Sequence, residues 1–189
     1  AAATLALTAA RLNVRVGAVF FSDKVEKIIA PKSGQRHGWE IARSLMEFEP
    51  QGRGTDLASA LEQALRQYRS RAMVVMISDV LTPDLKFRDS LSSVAQRHDF
   101  RLIRVSDPRE KNPLPQAGLV RLEDAETGEV REVDTESPAL RARQASALQS
   151  RESELASVLE DARVRPIEIS TQGDYLEALL SHFDPKQKQ

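Results

Sequence analysis

Thr55 and Asp79 are the two side chains whose type and setting best suit binding chemistry. Thr55 lies in Gly52-Arg53-Gly54-Thr55-Asp56-Leu57, where two glycines let the backbone turn tightly and the threonine stands where a helix should begin. Asp79 follows the apolar run from Ala72 to Ile77, so it should end a buried strand. Ligands of open α/β sheets collect beyond the carboxyl ends of strands. A hydroxyl and a carboxylate suit a hard cation such as Mg²⁺, which takes oxygen ligands and keeps several waters. Each residue also has a plainer reading, Thr55 as a helix N-cap and Asp79 as a turn residue.

Most catalytic alternatives fail on spacing. Gly52-Arg53-Gly54 is followed by Leu57 where a dinucleotide fingerprint needs glycine, and no phosphate-binding Gly-x-x-x-x-Gly-Lys or nucleophile-elbow Gly-x-Ser-x-Gly occurs. His37, His98 and His182 are far apart, and none sits in a His-Glu-x-x-His setting. Asp79 as a phosphatase nucleophile would want a second acid two residues on, where Leu81 stands. His98 continues the helical stripe of Phe87, Leu91 and Val94 and reads as a packed or helix-terminal histidine rather than a ligand. Trp39, the only tryptophan, shares a helical face with Ala42 and Met46 and reads as packing. Asp107-Pro108-Arg109-Glu110 reads as a solvated loop.

The elements that must position Thr55 and Asp79 alternate between two periodicities, which indicates an α/β architecture. Strands are expected over 14–21, 25–29, 72–78, 101–105 and 165–169, the second antiparallel because only a tight link joins it to the first. Amphipathic helices are expected around Leu57 to Tyr68, Phe87 to Ala95, from near Pro138 to Ala162, and Tyr175 to Phe183; residues up to Leu12 read as the end of a helix. Weak alternation from Gly118 to Val133 around Glu126-Thr127-Gly128 predicts an inserted β-hairpin. One domain over 1–184 with a charged tail at 185–189 accounts for the 189 residues.

Composition narrows the partners. With 27 Lys or Arg against 28 Asp or Glu, the formal net charge is −1, which argues against nucleic-acid binding. No cysteine is present, so disulfides, thiolate metal sites and cysteine nucleophiles are excluded. No apolar run approaches the ~20 residues that span a bilayer, and no targeting peptide is visible, so a cytoplasmic location is expected.

Several strings occur in a fixed order: Val16-Gly17-Ala18-Val19-Phe20-Phe21-Ser22-Asp23, Gly52 to Leu57, Ile77-Ser78-Asp79, Arg97-His98-Asp99, Asp107 to Glu110, and Leu122 to Gly128. Together they resemble the bacterial domain-of-unknown-function 58 family over nearly the whole chain, from about residue 5 to Phe183. The resemblance implies a Rossmann-like, von Willebrand factor A-type sheet with helices on both faces. It also implies a non-enzymatic, protein-binding role beside MoxR-type AAA+ ATPases. In the wider A-domain group, a metal-ion-dependent adhesion site combines Asp-x-Ser-x-Ser, a Thr and an Asp. Thr55 and Asp79 match the last two, and no Asp-x-Ser-x-Ser is present. The resemblance places that element, on a first central strand, upstream of Ala1. Two origins fit: a chain cut or read from a late start, and a naturally degenerate member.

The leading expectation is therefore a non-enzymatic protein-interaction module with a partial metal site, serving a MoxR-type AAA+ ATPase or its client. Mg²⁺ belongs to a longer protein and is not held tightly by these residues alone, and a membrane-anchored parent is compatible with the family. A metal-independent scaffold of the same fold is the alternative, and a hydrolase using Asp79 carries least weight. Without a central strand, the two flanking strands should close on each other or pair with another chain, which would make a homo-oligomer.

Overall fold

The computed structural model describes residues 1–81, 85–108, 117–123 and 130–183. Its elements run α1 (Ala2–Arg11), β1 (Val16–Phe21), β2 (Val25–Lys32), α2 (Gln35–Glu47), α3 (Leu57–Gln67), β3 (Met73–Ser78), α4 (Arg88–Arg97), β4 (Asp99–Ser106), β5 (Leu119–Glu123), β6 (Val130–Asp134), α5 (Pro138–Asp161), β7 (Ile167–Ser170) and α6 (Tyr175–Phe183). The α/β class expected from periodicity is observed. The proposed charged tail, the Glu126-Thr127-Gly128 turn, Arg109 and Glu110 lie outside the described residues.

Strands β3, β4 and β7 form a parallel sheet with β4 in the middle; Met73 pairs with Asp99 and Ile103 with Ile167. Side chains alternate across this sheet, as a strand's period of two requires. On one face Met76, Phe100 and Leu102 meet Leu57 and Leu61 of α3, Leu91 and Val94 of α4, and Leu155, Val158 and Leu159 of α5. On the other, Val75, Ile77, Ile103, Ile167 and Ile169 meet Leu179 of α6 and Ala1 and Leu5 of α1. Burial on both faces explains why these strands read as nearly continuous apolar runs.

The ribbon β1–β2 is antiparallel, as expected, but it is a separate two-stranded sheet. Among the described residues β1 pairs only with β2, and β3 only with β4. The expectation that the strands flanking a missing one would close on each other is therefore not met. Two helices bridge the break instead. Ala6 of α1 joins the ribbon core of Phe20, Ile29 and Ile41, while Leu5 of the same helix packs on the parallel sheet. On the opposite face, Phe21 joins the α3 cluster.

The chain path also fixes the relative direction of β1 and β3. Asp56, before α3, donates its amide to the Ser22 carbonyl at 2.7 Å, and a Cβ on Gly17 would lie 3.1 Å from the Tyr68 hydroxyl at the far end of α3. So α3 runs back along β1 and β3 then returns. The carboxyl ends of β1 and β3 share one side of the molecule.

Besides small shifts at two strands, β4 running Asp99–Ser106 rather than 101–105 and β7 Ile167–Ser170 rather than 165–169, three sequence expectations need correction. The first strand begins at Val16 rather than at residue 14, because Val14 closes the turn after α1 by bonding to the Ala9 carbonyl. The second strand does not stop at residue 29 but runs through Pro31 to Lys32. A proline is tolerated there because the pairing with β1 is irregular between Val16 and Ala18 and β2 is an edge strand. Trp39 is not packing: it is 64% exposed and Met46 87%, whereas Ala42 is buried. The cause is a close approach of α2 to α1, where a Cβ on Gly38 would lie 2.5 Å from the Ala10 Cβ. Apposition through His37, Gly38, Ile41 and Ala42 turns Trp39 outward.

Candidate functional site

At the end of β3 the chain reverses sharply. Val80 adopts φ 57°, a left-handed conformation rare for a β-branched residue, with its side chain buried. Two short-range hydrogen bonds hold the turn: the Val80 amide donates to Ser78 Oγ at 3.0 Å and the Leu81 amide to Asp79 Oδ1 at 3.1 Å. Strain of this kind costs about 1–3 kcal/mol and persists where the surroundings enforce it. Asp79 is thus a turn residue, as its plainer reading had it. Its carboxylate is exposed, and its second oxygen has no hydrogen bond among the described residues.

Thr55 is set by a loop that crosses from the end of α2 to the start of α3. Its plainer reading as an N-cap is overturned: Asp56 caps α3, accepting from the Ser59 amide at 3.0 Å, and the helix begins at Leu57. A capping aspartate satisfies an amide that the first helical turn leaves free, so the threonine hydroxyl is not consumed in that role. The loop rests on the β1–β2 turn. Glu26 accepts hydrogen bonds from the amides of Gln51 at 2.9 Å and Gly52 at 3.1 Å, and from the Ser22 hydroxyl. Those bonds, the Ser22 hydroxyl first among them, hold the Glu26 carboxyl below the usual carboxylate range.

Thr55 and Asp79 consequently belong to the same carboxyl-end side, Thr55 through the ribbon and Asp79 through the parallel sheet. Two further groups shape the electrostatics there. Arg151 of α5 reaches the Val80 carbonyl at 3.5 Å, which places a guanidinium beside the residue after Asp79. Arg104, near the end of β4, is held by Glu152 of α5 and by Glu168 of β7, the latter at 3.7 Å. The Glu152 hydrogen bond leads the effects that raise the Arg104 pKa.

Two oxygen donors do not make a Mg²⁺ site. Among the described residues no cluster of three His, Asp or Glu side chains could hold a metal ion. Thr55 and Asp79 by themselves supply one hydroxyl and one carboxylate, fewer fixed oxygens than Mg²⁺ takes.

His98 and His37 are tied into the structure. His98 is 2% exposed at the C-cap of α4, where its Nδ1 accepts from the Ala72 amide at 3.3 Å. Its Nε2 is buried without a hydrogen-bond partner among the described residues. His37 joins α2 to the ribbon, with Nε2 2.9 Å from the Val16 carbonyl and Nδ1 3.1 Å from Glu40. Sequence reasoning missed Glu26 and misplaced the cap by one residue. An aspartate directly before an apolar helical run could have signalled the cap. Nothing local could have signalled Glu26, whose loop partners lie 25 and 26 residues away.

An α/β fold with a polar face at the strand ends thus frames the comparisons with known proteins. The chain belongs to the family described as "Protein of unknown function DUF58", whose model matches residues 1–154. It is 33% identical over 164 residues to uncharacterized proteins of Mycobacterium tuberculosis and Mycobacterium bovis, a match covering 86% of this chain and 51% of those proteins. The chain spans about half the length of these curated relatives. An uncharacterized protein of Mycobacterium avium is 38% identical over 106 residues, covering 55% of this chain and 62% of that protein. Among solved structures, an aerotolerance-related membrane protein from Bacteroides fragilis superposes with a TM-score of 0.56 at 14% identity, covering 95% of this chain and 85% of that one. That likeness concerns the fold. No helix among the described residues is long and apolar enough to cross a membrane.

Proposed function

We propose that the carboxyl-end side carrying Thr55 and Asp79 is a protein-docking face, and that this chain is the non-enzymatic interaction part of a larger protein working with a MoxR-type AAA+ ATPase or its client. The observation that carries the reading is that a threonine hydroxyl relieved of capping and an exposed aspartate, with one oxygen beyond its turn bond, belong to one side of the molecule. Family membership and the von Willebrand factor A resemblance support it.

On this reading the present residues do not bind Mg²⁺ tightly. A longer protein that carries an Asp-x-Ser-x-Ser upstream would add an acid and two hydroxyls, enough to offset the dehydration that Mg²⁺ resists. Calorimetric titration of this chain and of such a longer protein with Mg²⁺ tests the metal. Capture of the purified ATPase by that longer protein and by its Asp79→Ala variant tests the face. Metal-dependent capture that Asp79→Ala abolishes is the expected result, and tight Mg²⁺ binding by the short chain would show that the ligands are misassigned.

A metal-independent scaffold is the second reading. It is favoured by the β5–β6 hairpin, which displays Leu119 at 70% and Val130 at 46% exposure, as a contact surface would. Capture that survives Asp79→Ala but fails with Leu119→Ser selects it.

A further inference from the structure

The loop from Phe48 to Asp56 has no regular hydrogen bonding of its own, yet it must hold Thr55 in one place. Its main-chain ties to the rest of the molecule converge on one short stretch. The Gln51 and Gly52 amides donate to the two oxygens of Glu26, and the Asp56 amide donates to the Ser22 carbonyl. The loop also lies almost in contact with the ribbon turn. A Cβ on Gly52 would fall 1.8 Å from Asp23 Oδ1 and 2.3 Å from Ser22 Oγ, so any larger residue would force those side chains or the loop to shift. At its start, the Phe48 ring packs on Phe20 with centroids 4.9 Å apart.

We propose that Glu26 is the positioning residue of the carboxyl-end face: its carboxylate clamps the 51–56 loop, and with it Thr55, onto the turn between β1 and β2. The inference rests on the docking reading given above only for its consequence; the clamp itself is a matter of geometry. One carboxylate receives three donors, and two of them come from the loop. Charge-assisted bonds of this kind are roughly twice as strong as neutral ones. A neutral side chain of the same length keeps one acceptor oxygen and turns a donor toward the amides, so the charge matters as well as the shape.

Glu26 lines an open groove of about 490 Å³ together with Lys24, Lys27, Ser44, Glu47 and Gln51, and Phe48 and Glu49 complete its wall. The charged groups facing it are therefore Lys24 and Lys27 on the ribbon, Glu47 on α2 and Glu49 in the loop, with Asp23 at the turn. Lys27 is occupied by the Ser44 hydroxyl at 3.0 Å. Hydrogen bonding, more than the Lys24 charge, stabilises the ionised Glu26.

Amide hydrogen exchange by NMR on the full chain tests the clamp. In Glu26→Ala the Gln51 and Gly52 amides should exchange at least about tenfold faster, the change that corresponds to about 1.4 kcal/mol, while Val19 and Ile29 amides in the ribbon stay as they were. Glu26→Gln should fall between. In wild type the Gln51 and Gly52 amide resonances should titrate together with Glu26, below the ordinary carboxylate range. Unchanged exchange in Glu26→Ala, or Gln51 and Gly52 amide resonances that do not follow the Glu26 titration in wild type, overturns the clamp. Capture of the AAA+ ATPase proposed above separates the two ideas. Weakened capture by both Glu26→Ala and Thr55→Ala supports positioning. Loss with Thr55→Ala alone, despite a loosened loop, overturns it. Accelerated exchange with capture untouched by either substitution supports the clamp and removes the docking reading.

Discussion

The parallel sheet and the β1–β2 ribbon stand on either side of the candidate face, and they are held by different forces. The parallel sheet is sandwiched between two apolar layers, with Leu61, Leu91, Val94, Ile103 and Val158 all at most 1% exposed. The ribbon packs on fewer buried residues, Ala6, Phe20, Ile29 and Ile41, and relies on specific polar ties: His37 to Val16, Lys27 to Ser44, and Glu26 to its loop. Close-packed apolar layers have low compressibility and hold their positions, whereas a few hydrogen bonds are lost one at a time as their geometry opens. Asp79 stands on the stiffer wall and Thr55 on the one more easily adjusted.

The largest effect is expected in the sheet. Leu61→Ala should cost about 2–5 kcal/mol in urea unfolding, because a fully buried leucine leaves a cavity as well as losing its transfer energy. A loss below 1 kcal/mol would show that the α3 layer is loosely packed and would erase the contrast. Next, Gly38→Ala should cost about 1–3 kcal/mol through overpacking against Ala10. Its damage should concentrate in the protection of α1, α2 and the ribbon, and equal loss of protection in β4 would mean that the two regions open as one.

Acid should act on the sheet side through His98. Burial first, and the Arg97 charge second, hold its pKa below the usual histidine value. The unfolded chain therefore takes up the proton before the folded one does. The stability linked to His98 is fully present above the unfolded value of about 6.5 and drains away as pH falls through the window beneath it. Unfolding free energies followed from about pH 7 to 5 should decline more steeply in wild type than in His98→Gln; identical slopes would assign acid sensitivity elsewhere. The smallest effect belongs to the outer face of the ribbon unit. Trp39→Ser should change stability by no more than about 0.5 kcal/mol, since an exposed side chain on a helix has little packing to lose.

How much of this was legible in the sequence follows from range. The parallel strands and the stripes of α3 and α4 were readable because burial on two faces, or on one helical side, writes itself into every residue of a segment. The places of Thr55, in the loop before α3, and Asp79, at the end of β3, were readable because glycine, turn and strand-end signals are local. The cap was misplaced by one position because Thr55 and Asp56 are both good capping residues and only coordinates choose between them. Trp39 was misread because a 3.6-residue period shows which residues share a face without showing which face is covered; the small Gly38 and Ala42 decided that. The break between ribbon and sheet depends on pairing between distant segments, which carries no local signature at all.

The register of β4 against β7 has a consequence for how the chain is made. Ile103 waits for Ile167, about 60 residues further along, with the hairpin and the whole of α5 in between. At synthesis rates of about 5–20 residues per second, several seconds pass before the second strand leaves the ribosome. Closing so long a loop adds little to the final free energy but slows the search for it. During that interval one edge of β4, with Ile103 and Val105 on the face that α6 will later cover, is open to any strand that meets it. Nascent chains halted before residue 167 should bind a holdase readily, and release from it should coincide with the appearance of β7.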